Sequence, residues 1–258
     1  MRDGLDFSKD WGEQGGLQMA SSYIEDLRTD AWHDVAEYDW AHRLESEAET
    51  VQRELENALA TPSFDSKGNR IWATASRSDA MAYGPDWRTL VLQDRGRWDD
   101  KNAELFPQTS KLVQKLQIPS SECFFAVQRA HTGIKSHTDF TNFLLTAHLG
   151  LKIPEGNLWI KCGNETRDWE EKKMLIMDTS FMHSTENNTD EDRYVLIFRF
   201  WHPDLTVLEK EALQFIFDSL DNPDQIKVAQ KLLAKRVKAA KRKPASRGGF
   251  GGGGFGKR

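Results

Sequence analysis

Hydrophobic positions recur at two different periods along the chain. Between residues 20 and 60, apolar side chains return every three or four positions among Glu-rich neighbours, which predicts an amphipathic helix that ends before Pro62. From about residue 62 to 205 the pattern changes to short alternating or fully apolar runs separated by Gly, Pro, Asn and Asp, and this predicts β-strands. Residues 206–241 return to the helical period, with a break at Asn222-Pro223.

The middle region holds six predicted strands and one predicted helix. The strands are Thr89–Gln93, Cys123–Arg129, Leu144–Leu149, Asn157–Cys162, Lys173–Asp178 and Arg193–Trp201. The helix is marked by apolar residues spaced between positions 106 and 116. Many short strands with turn signals between them favour a jelly roll or sandwich over a parallel α/β sheet. We therefore predict a mainly β protein with flanking helices.

These changes of pattern predict four parts. They are a helical extension (1–61), a β domain (62–205), C-terminal helices (206–240) and a disordered, basic, Gly-rich tail (241–258). The net charge is −5, yet residues 227–258 contain eleven Lys or Arg and no Asp or Glu. Such an end is either a solvated flexible segment or a contact for nucleic acid or nuclear import, and we favour the first.

Composition narrows the classes of protein. The apolar runs are far too short to span a membrane. The segment Met1–Asp6 lacks the apolar stretch of a secretory signal, so we expect an intracellular and most simply cytoplasmic location, unless a segment was removed. A nuclear or organellar location stays open. The two cysteines, Cys123 and Cys162, do not make a disulfide framework, and we expect both to be buried spacers.

The candidate chemistry lies at His137, Asp139 and His183. Residues i and i+2 of an extended segment point to the same side, so His137 and Asp139 can bind one metal ion. His183 would arrive from a different strand and complete a two-histidine, one-carboxylate triad of the kind that binds Fe(II) and leaves coordination positions open. Arg193, ten residues later, is placed to hold the far carboxylate of a bound keto-acid. Each of these residues is unremarkable alone; their order on a strand-rich background favours the iron site.

Beyond these candidate ligands, the sequence resembles the aspartyl/asparaginyl β-hydroxylase family of 2-oxoglutarate oxygenases. The segments that carry the resemblance are Gly84–Arg88, Phe106-Pro107, His137–Asn142, His148–Pro154, Cys162–Thr166, Trp169–Glu171, Asp178–His183 and Trp201–Pro203. The resemblance covers roughly residues 62–205. It implies a double-stranded β-helix core (a jelly-roll or cupin-like fold), Fe(II), and 2-oxoglutarate and O2 as co-substrates.

The resemblance also implies roles for single residues. His137 and His183 match the family's iron-binding histidines, and Arg193 matches the arginine that grips the distal carboxylate of 2-oxoglutarate. His148 matches a histidine near the proximal carboxylate. Members that act on epidermal-growth-factor-like domains have Gly where this chain has Asp139, so Asp139 would restore a full carboxylate triad.

This chain departs from the same family members at two further positions. Those members have Arg where this chain has Thr146, and Ser where it has Ala126. Thr146 and Gln128 are retained as candidate co-substrate residues, with Gln128, Arg129 or Lys135 compensating for the missing contacts unless the co-substrate is held differently.

The sequence therefore predicts an Fe(II)- and 2-oxoglutarate-dependent dioxygenase. The expected acceptor is an aspartyl or asparaginyl side chain in a peptide or amino-acid derivative, with succinate and CO2 released. A hydroxylase of another small molecule or a lipid, and a jelly-roll binding module that keeps a metal without catalysis, are the alternatives. The sequence leaves the oligomeric state open.

Overall fold

Two large β-sheets, and a third sheet of only two strands, form the β structure of the described residues. The computed structural model describes residues 16–74, 84–222 and 224–242. The strands are β1 (Ala20–Ser22), β2 (Trp32–His33), β3 (Ala73–Thr74), β4 (Trp87–Asp94), β5 (Arg97–Trp98), β6 (Ser120–Gln128), β7 (Thr132–His137), β8 (Phe140–Thr141), β9 (Leu144–Lys152), β10 (Leu158–Cys162), β11 (Glu165–Arg167), β12 (Met174–Met177), β13 (His183–Asn187) and β14 (Arg193–Trp201). The helices are α1 (Asp39–Ser46), α2 (Ala48–Leu59), α3 (Asp100–Leu105), α4 (Pro107–Leu116), α5 (Val207–Asp221) and α6 (Asp224–Arg242).

The order of the strands gives the fold. The major sheet runs β2-β12-β9-β14-β6-β4-β3, with β5 paired to β4, and the minor sheet runs β11-β10-β13-β7. Along the chain, β6, β9, β12 and β14 belong to the major sheet, while β7, β10 and β13 lie between them in sequence and belong to the minor sheet. A chain that crosses in this way between two facing antiparallel sheets forms a double-stranded β-helix, or jelly roll. The predicted fold class is confirmed.

Strand β14 shows why the sheets pack as they do. Successive side chains of a strand point to opposite faces. Leu196 and Phe198 join the core beneath the helices, whereas Val195 and Ile197 join a second core between the two sheets. Because β14 is paired on both edges and covered on both faces, its sequence is a nearly continuous apolar run. Its predicted bounds, Arg193–Trp201, are those observed.

Helices α1 and α2 cover the outer face of the major sheet. Helix α2 buries Val51 and Leu55 at helical spacing, and both belong to the same core as Leu149 and Phe198 of the sheet. The amide of Gln52 also donates to the carbonyl of Leu151 at 2.7 Å. The helices therefore form a supporting layer on the side of the sheet that faces away from the minor sheet.

The predicted helix over residues 20–60 is wrong for its first half, because helix begins only at Asp39. Residues 20–22 pair with β8 and residues 32–33 pair with β12, while Val35–Glu37 forms a short 3-10 turn capped by Asp34. The apolar spacing there reflects packing against strands more than 100 positions away, which local periodicity cannot distinguish from a helix.

The chain divides into two compact units, with the boundary after Lys210. The first holds the sheets and helices α1 to α4, and the second holds α6 and most of α5. Helix α5 ends at Asp221 and α6 begins at Asp224, on either side of the break predicted at Asn222-Pro223; Pro223 itself lies outside the described residues. The four-part division stays a prediction. The first two residues of the tail predicted to be disordered (241–258) belong to helix α6, and the rest falls outside the described residues. Over the part of the chain that the structure describes, no helix combines the length and apolarity needed to cross a membrane.

Candidate active site

Three predicted metal ligands meet at the end of the minor sheet. His137 ends β7 and His183 begins β13, and the two residues are register partners in neighbouring strands. Their ring centroids are 4.2 Å apart, and Nε2 of His137 lies 4.0 Å from Oδ1 of Asp139. One potential ligand atom from each of the three residues lies within 4.8 Å of the others. The structure thus brings together the three side chains that the sequence singled out.

Backbone carbonyls fix which nitrogen of each histidine faces the site. Nδ1 of His137 lies 2.7 Å from the carbonyl oxygen of Lys135, and Nδ1 of His183 lies 3.0 Å from that of Phe181. A carbonyl can only accept, so Nδ1 carries the proton in each ring and donates to it. Nε2 then keeps its lone pair, which is the arrangement found in histidines that bind metals.

Asp139 lies just outside the strand on which it was predicted. Strand β7 ends at His137, and the backbone N–H of Asp139 donates to the carbonyl of Thr179 at 2.8 Å. The following residue, Phe140, has a φ of +61°, an uncommon conformation for a bulky side chain. A turn therefore places the Asp139 carboxylate beside His137. The prediction had relied on the alternation of side chains along one strand, which ends at His137 and does not include Asp139.

A segment near the N-terminus holds this turn. Residues 16–24, here called the N-terminal strap, pair with β8 through β1 and donate from the Met19 N–H to the carbonyl of Ser180. The side chain of Asn142 bonds both backbone groups of Ile24. The strap thus joins the turn that carries Asp139 to the loop that precedes His183.

The Asp139 carboxylate is ionised. Burial alone would raise its pKa, but the positive charge of the Arg199 guanidinium outweighs burial and holds the pKa well below the usual range. Imidazole nitrogens and a carboxylate oxygen form a donor set that suits Fe(II). The residues present therefore fit the metal that the family resemblance implies.

Arg193 is a buried cation whose position suits an anionic ligand. Its side chain is 1% exposed, and among the described residues its Nε and Nη1 have no hydrogen-bond partner. The guanidinium lies 4.2 Å above the ring of Trp169, and burial lowers its pKa to about 9. A buried charge without an anionic partner is costly, and a bound carboxylate would relieve that cost.

Trp169 also holds His148. Its indole N–H donates to Nδ1 of His148 at 3.2 Å, and the two rings are parallel within 4°. Burial, followed by the charge of Arg193, lowers the pKa of His148 well below its usual value, so the ring is neutral at pH 7. Because Nδ1 accepts, the proton is on Nε2, which is therefore a donor.

Glycine at position 150 allows Trp169 to reach this place. A Cβ atom on Gly150 would lie 2.1 Å from the carbonyl oxygen of Glu170, so no larger residue fits without moving that backbone. The backbone of Gly150 also exchanges hydrogen bonds with Lys172 and Lys173. The loop that carries Trp169 is therefore held directly on β9, the strand of His148.

The other two predicted co-substrate residues are occupied by structural contacts. The amide of Gln128 donates to the carbonyl of Thr132 at 2.7 Å and accepts from the hydroxyl of Thr185 at 3.0 Å. The hydroxyl of Thr146 lies 3.1 Å from that of Thr179, beside the turn that carries Asp139. These bonds join strands and loops around the site, and a direct role for Gln128 or Thr146 in co-substrate binding stays a prediction.

Two residues of the site carried no predicted role. Trp169 was named only as part of a segment that carries the family resemblance, although it contacts both Arg193 and His148. Arg199, which contacts Asp139, was hidden in an apolar strand. One signal was available for Arg199: it lies an even number of residues after Arg193, so a strand places both side chains on one face.

Fold and site together define a double-stranded β-helix protein with a candidate two-histidine, one-carboxylate metal site and a buried arginine nearby. The sequence profile of the family described as Aspartyl/Asparaginyl beta-hydroxylase matches residues 45–203. The chain belongs to this family, as its resemblance predicted.

Individual relatives differ in how much of this chain they match. The mouse protein named aspartyl/asparaginyl beta-hydroxylase is 34% identical over 135 residues, which is 51% of this chain but only 18% of the relative. A Rhizobium tropici protein named ornithine lipid ester-linked acyl 2-hydroxylase is 28% identical over 200 residues, or 75% of this chain and 66% of the relative. Among solved structures, a Pseudomonas putida prolyl-4-hydroxylase aligns over 60% of this chain and 87% of its own, with a TM-score of 0.36 and 14% identity.

Proposed function

We propose that this protein is an Fe(II)- and 2-oxoglutarate-dependent hydroxylase that acts on an aspartyl or asparaginyl side chain in a peptide or amino-acid derivative. One observation carries the proposal: a two-histidine, one-carboxylate cluster lies in the same barrel as a buried arginine with two nitrogens lacking partners among the described residues. A structural metal site would need the cluster but not the arginine. A dicarboxylate co-substrate needs both.

The residues divide the work between them. When bound, Fe(II) with 2-oxoglutarate and O2 supplies the chemistry that puts one oxygen atom into a C–H bond of the acceptor and the other into succinate, with loss of CO2. His137 and His183 hold the metal through Nε2, and Asp139 holds it as a carboxylate. Arg193 pairs with the far carboxylate of the co-substrate. Neutral His148 donates its Nε2–H to a co-substrate oxygen.

The core between the sheets keeps water from Arg193 and His148, which are 1% and 7% exposed. It is built from apolar side chains of both sheets, including Ile160, Val195 and Ile197. An apolar wall strengthens the pairing of Arg193 with a carboxylate, because less water competes for either charge. It also protects a reactive oxidant from unproductive chemistry.

A lipid acceptor is the second candidate, and a specific observation favours it. The match to the Rhizobium protein named as an ornithine lipid hydroxylase extends over 200 residues, against 135 for the mouse protein named as an aspartyl/asparaginyl hydroxylase. Fold and metal site are compatible with either acceptor, since neither fixes the substrate.

The proposal is tested by succinate formation from 2-oxoglutarate. Purified without oxygen, the protein should bind one Fe(II), and succinate should form only when iron and O2 are both supplied. His137→Ala and His183→Ala should abolish iron binding and turnover. Arg53→Met, which breaks an exposed ion pair on α2, is the matched control and should behave as the unchanged protein.

Acceptor identity follows from a mass increase of one oxygen atom. Aspartyl and asparaginyl peptides and acyl lipids are incubated separately with the iron-loaded protein, and products 16 Da heavier are sought. A lipid product without a peptide product would select the second candidate. Iron binding without succinate formation under any of these conditions would leave only a non-catalytic metal-containing module.

A further inference from the structure

A second arginine lies on the inner face of β14. Side chains at every second position of a strand share one face, so Arg193, Val195, Ile197 and Arg199 all point between the two sheets. Six residues of strand separate the two arginines, a distance of about 20 Å. Arg199 faces Glu122 across β6 and Thr146 across β9. It therefore lies at the opposite end of the inner face from Arg193.

Arg199 contacts two carboxylates. Its Nη2 lies 3.5 Å from Oδ2 of Asp139, and its Nη1 lies 3.6 Å from Oε1 of Glu122. The three side chains are 16–25% exposed, so water screens these contacts only in part. The two oxygens of Asp139 thus face different partners: Oδ2 faces Arg199, and Oδ1 faces His137.

This division has a consequence for coordination. An octahedral metal has six positions. With a metal bound, two imidazoles and a single carboxylate oxygen would fill three of these positions, a co-substrate that binds through two oxygens would fill two, and one would stay open. If Asp139 turned to offer both oxygens, it would take one of the positions that the co-substrates need. The side chain of Asp139 stands on a turn, where strand pairing does not restrict it, so its orientation depends on side-chain contacts, which are those with Arg199 and with the hydroxyl of Thr179.

We propose that Arg199 is the positioning residue that provides this contact, holding Oδ2 of Asp139 so that only Oδ1 is offered to the metal. The inference rests on the proposed function, because it takes His137, Asp139 and His183 as ligands. Glu122 anchors the other branch of the guanidinium and fixes its direction from the neighbouring strand.

The test uses Co(II), whose visible absorption reports the number and arrangement of its ligands. The full-length protein is loaded with Co(II), its spectrum is recorded, and 2-oxoglutarate is titrated in. Arg199→Met should change the spectrum and weaken 2-oxoglutarate binding about 10-fold, which is the low end of the loss in metal affinity or activity when a group that orients a metal ligand is removed. Arg199→Lys should do the same to a smaller extent, because one ammonium cannot serve both carboxylates. Arg53→Met should change neither.

A second background separates positioning from general charge effects. In Asp139→Gly protein, adding Arg199→Met should change neither the Co(II) spectrum nor the 2-oxoglutarate affinity further, since the group being positioned is gone. An equal loss in both backgrounds, or no effect in either, would overturn the proposal. If Arg199→Met does not fold, Arg199→Lys is compared in the same two backgrounds.

The variants His137→Ala and His183→Ala distinguish failure of the proposed function from failure of the proposed role of Arg199. If these variants still bind Co(II) with an unchanged spectrum, the proposed function itself fails. If they lose the spectrum while both Arg199 variants keep it, the metal site stands and only the role of Arg199 is refuted.

Discussion

Replacing Arg193 by Met should change two properties of the protein in opposite directions. Burial lowers the pKa of Arg193 from 12.5 to about 9, and at about 1.4 kcal/mol per pKa unit this fall corresponds to roughly 5 kcal/mol against folding. Because folding lowers the pKa of a cation, the cost is present at every pH below about 9. The ring of Trp169 offsets part of it. An apolar side chain of similar length should therefore raise the melting temperature of the ligand-free protein, by about 2–4 °C for each kcal/mol recovered.

The same change should weaken co-substrate binding. A charge-assisted hydrogen bond contributes about 1.5–3 kcal/mol, which corresponds to roughly a 10- to 150-fold loss of 2-oxoglutarate affinity. Differential scanning calorimetry with and without 2-oxoglutarate measures both effects in one experiment. The unchanged protein should be stabilised by the co-substrate, and Arg193→Met should start from a higher melting temperature and respond little.

Arg193→Lys and Arg53→Met are the controls. Lys keeps the charge but loses the fork of the guanidinium, so it should restore the affinity only in part. Arg53→Met should leave both measurements unchanged. If Arg193→Met lowers the melting temperature and leaves 2-oxoglutarate binding intact, Arg193 is a structural cation and the argument from its burial is wrong.

Trp169→Phe removes the indole N–H that fixes His148 and should raise the 2-oxoglutarate requirement by less than Arg193→Met does; an unchanged requirement would show that Trp169 only fills space. Burial raises the pKa of Asp178 to about 6, so its contribution to stability is present below about pH 4 and is lost as the pH rises through 6. Urea unfolding at pH 4 and pH 7.5 should accordingly show a pH-dependent loss that is roughly 3 kcal/mol smaller in Asp178→Asn, and equal losses would contradict the assignment. Removing residues 241–258 should leave succinate formation intact and abolish any weak nucleic-acid retention at low salt, and a folded but inactive truncation would disprove this.

Local hydrophobic patterns predicted the main strands, and the resemblance of several segments predicted the family. Because both faces of the strand Arg193–Trp201 are covered, its sequence is a nearly continuous apolar run, and this run predicted the strand with the bounds observed. The same property conceals the site. In β9, eight of nine residues are buried, so the pattern does not show that His148 faces the space between the sheets while Leu149 faces the helices.

The sequence predicted one contact between distant residues of the site but not the others. The pairing of His137 with His183 was predicted because the residue types and their order are characteristic of a metal site. The bond from Trp169 to His148 and the contact of Arg199 with Asp139 depend on how loops and strands meet in three dimensions. A polar residue in an apolar strand predicts that its side chain has a polar partner. Which residue is that partner depends on the fold and cannot be taken from the local sequence.

The N-terminal strap has a consequence for when the metal site forms. Its bonds to the loops around Asp139 span more than a hundred residues: Ile24 to Asn142 is a separation of 118 positions, and Gln18 to Asp178 is 160. Contacts with such separations close late, because the entropy of a long loop must be overcome first. The segment also precedes residue 45, where the family match begins. We expect the Asp139 carboxylate to reach its place only in the last stage of folding. Metal uptake, followed during refolding, should therefore report that folding is complete. A fragment trimmed to residues 45–203 would lack the strap that holds the Asp139 turn.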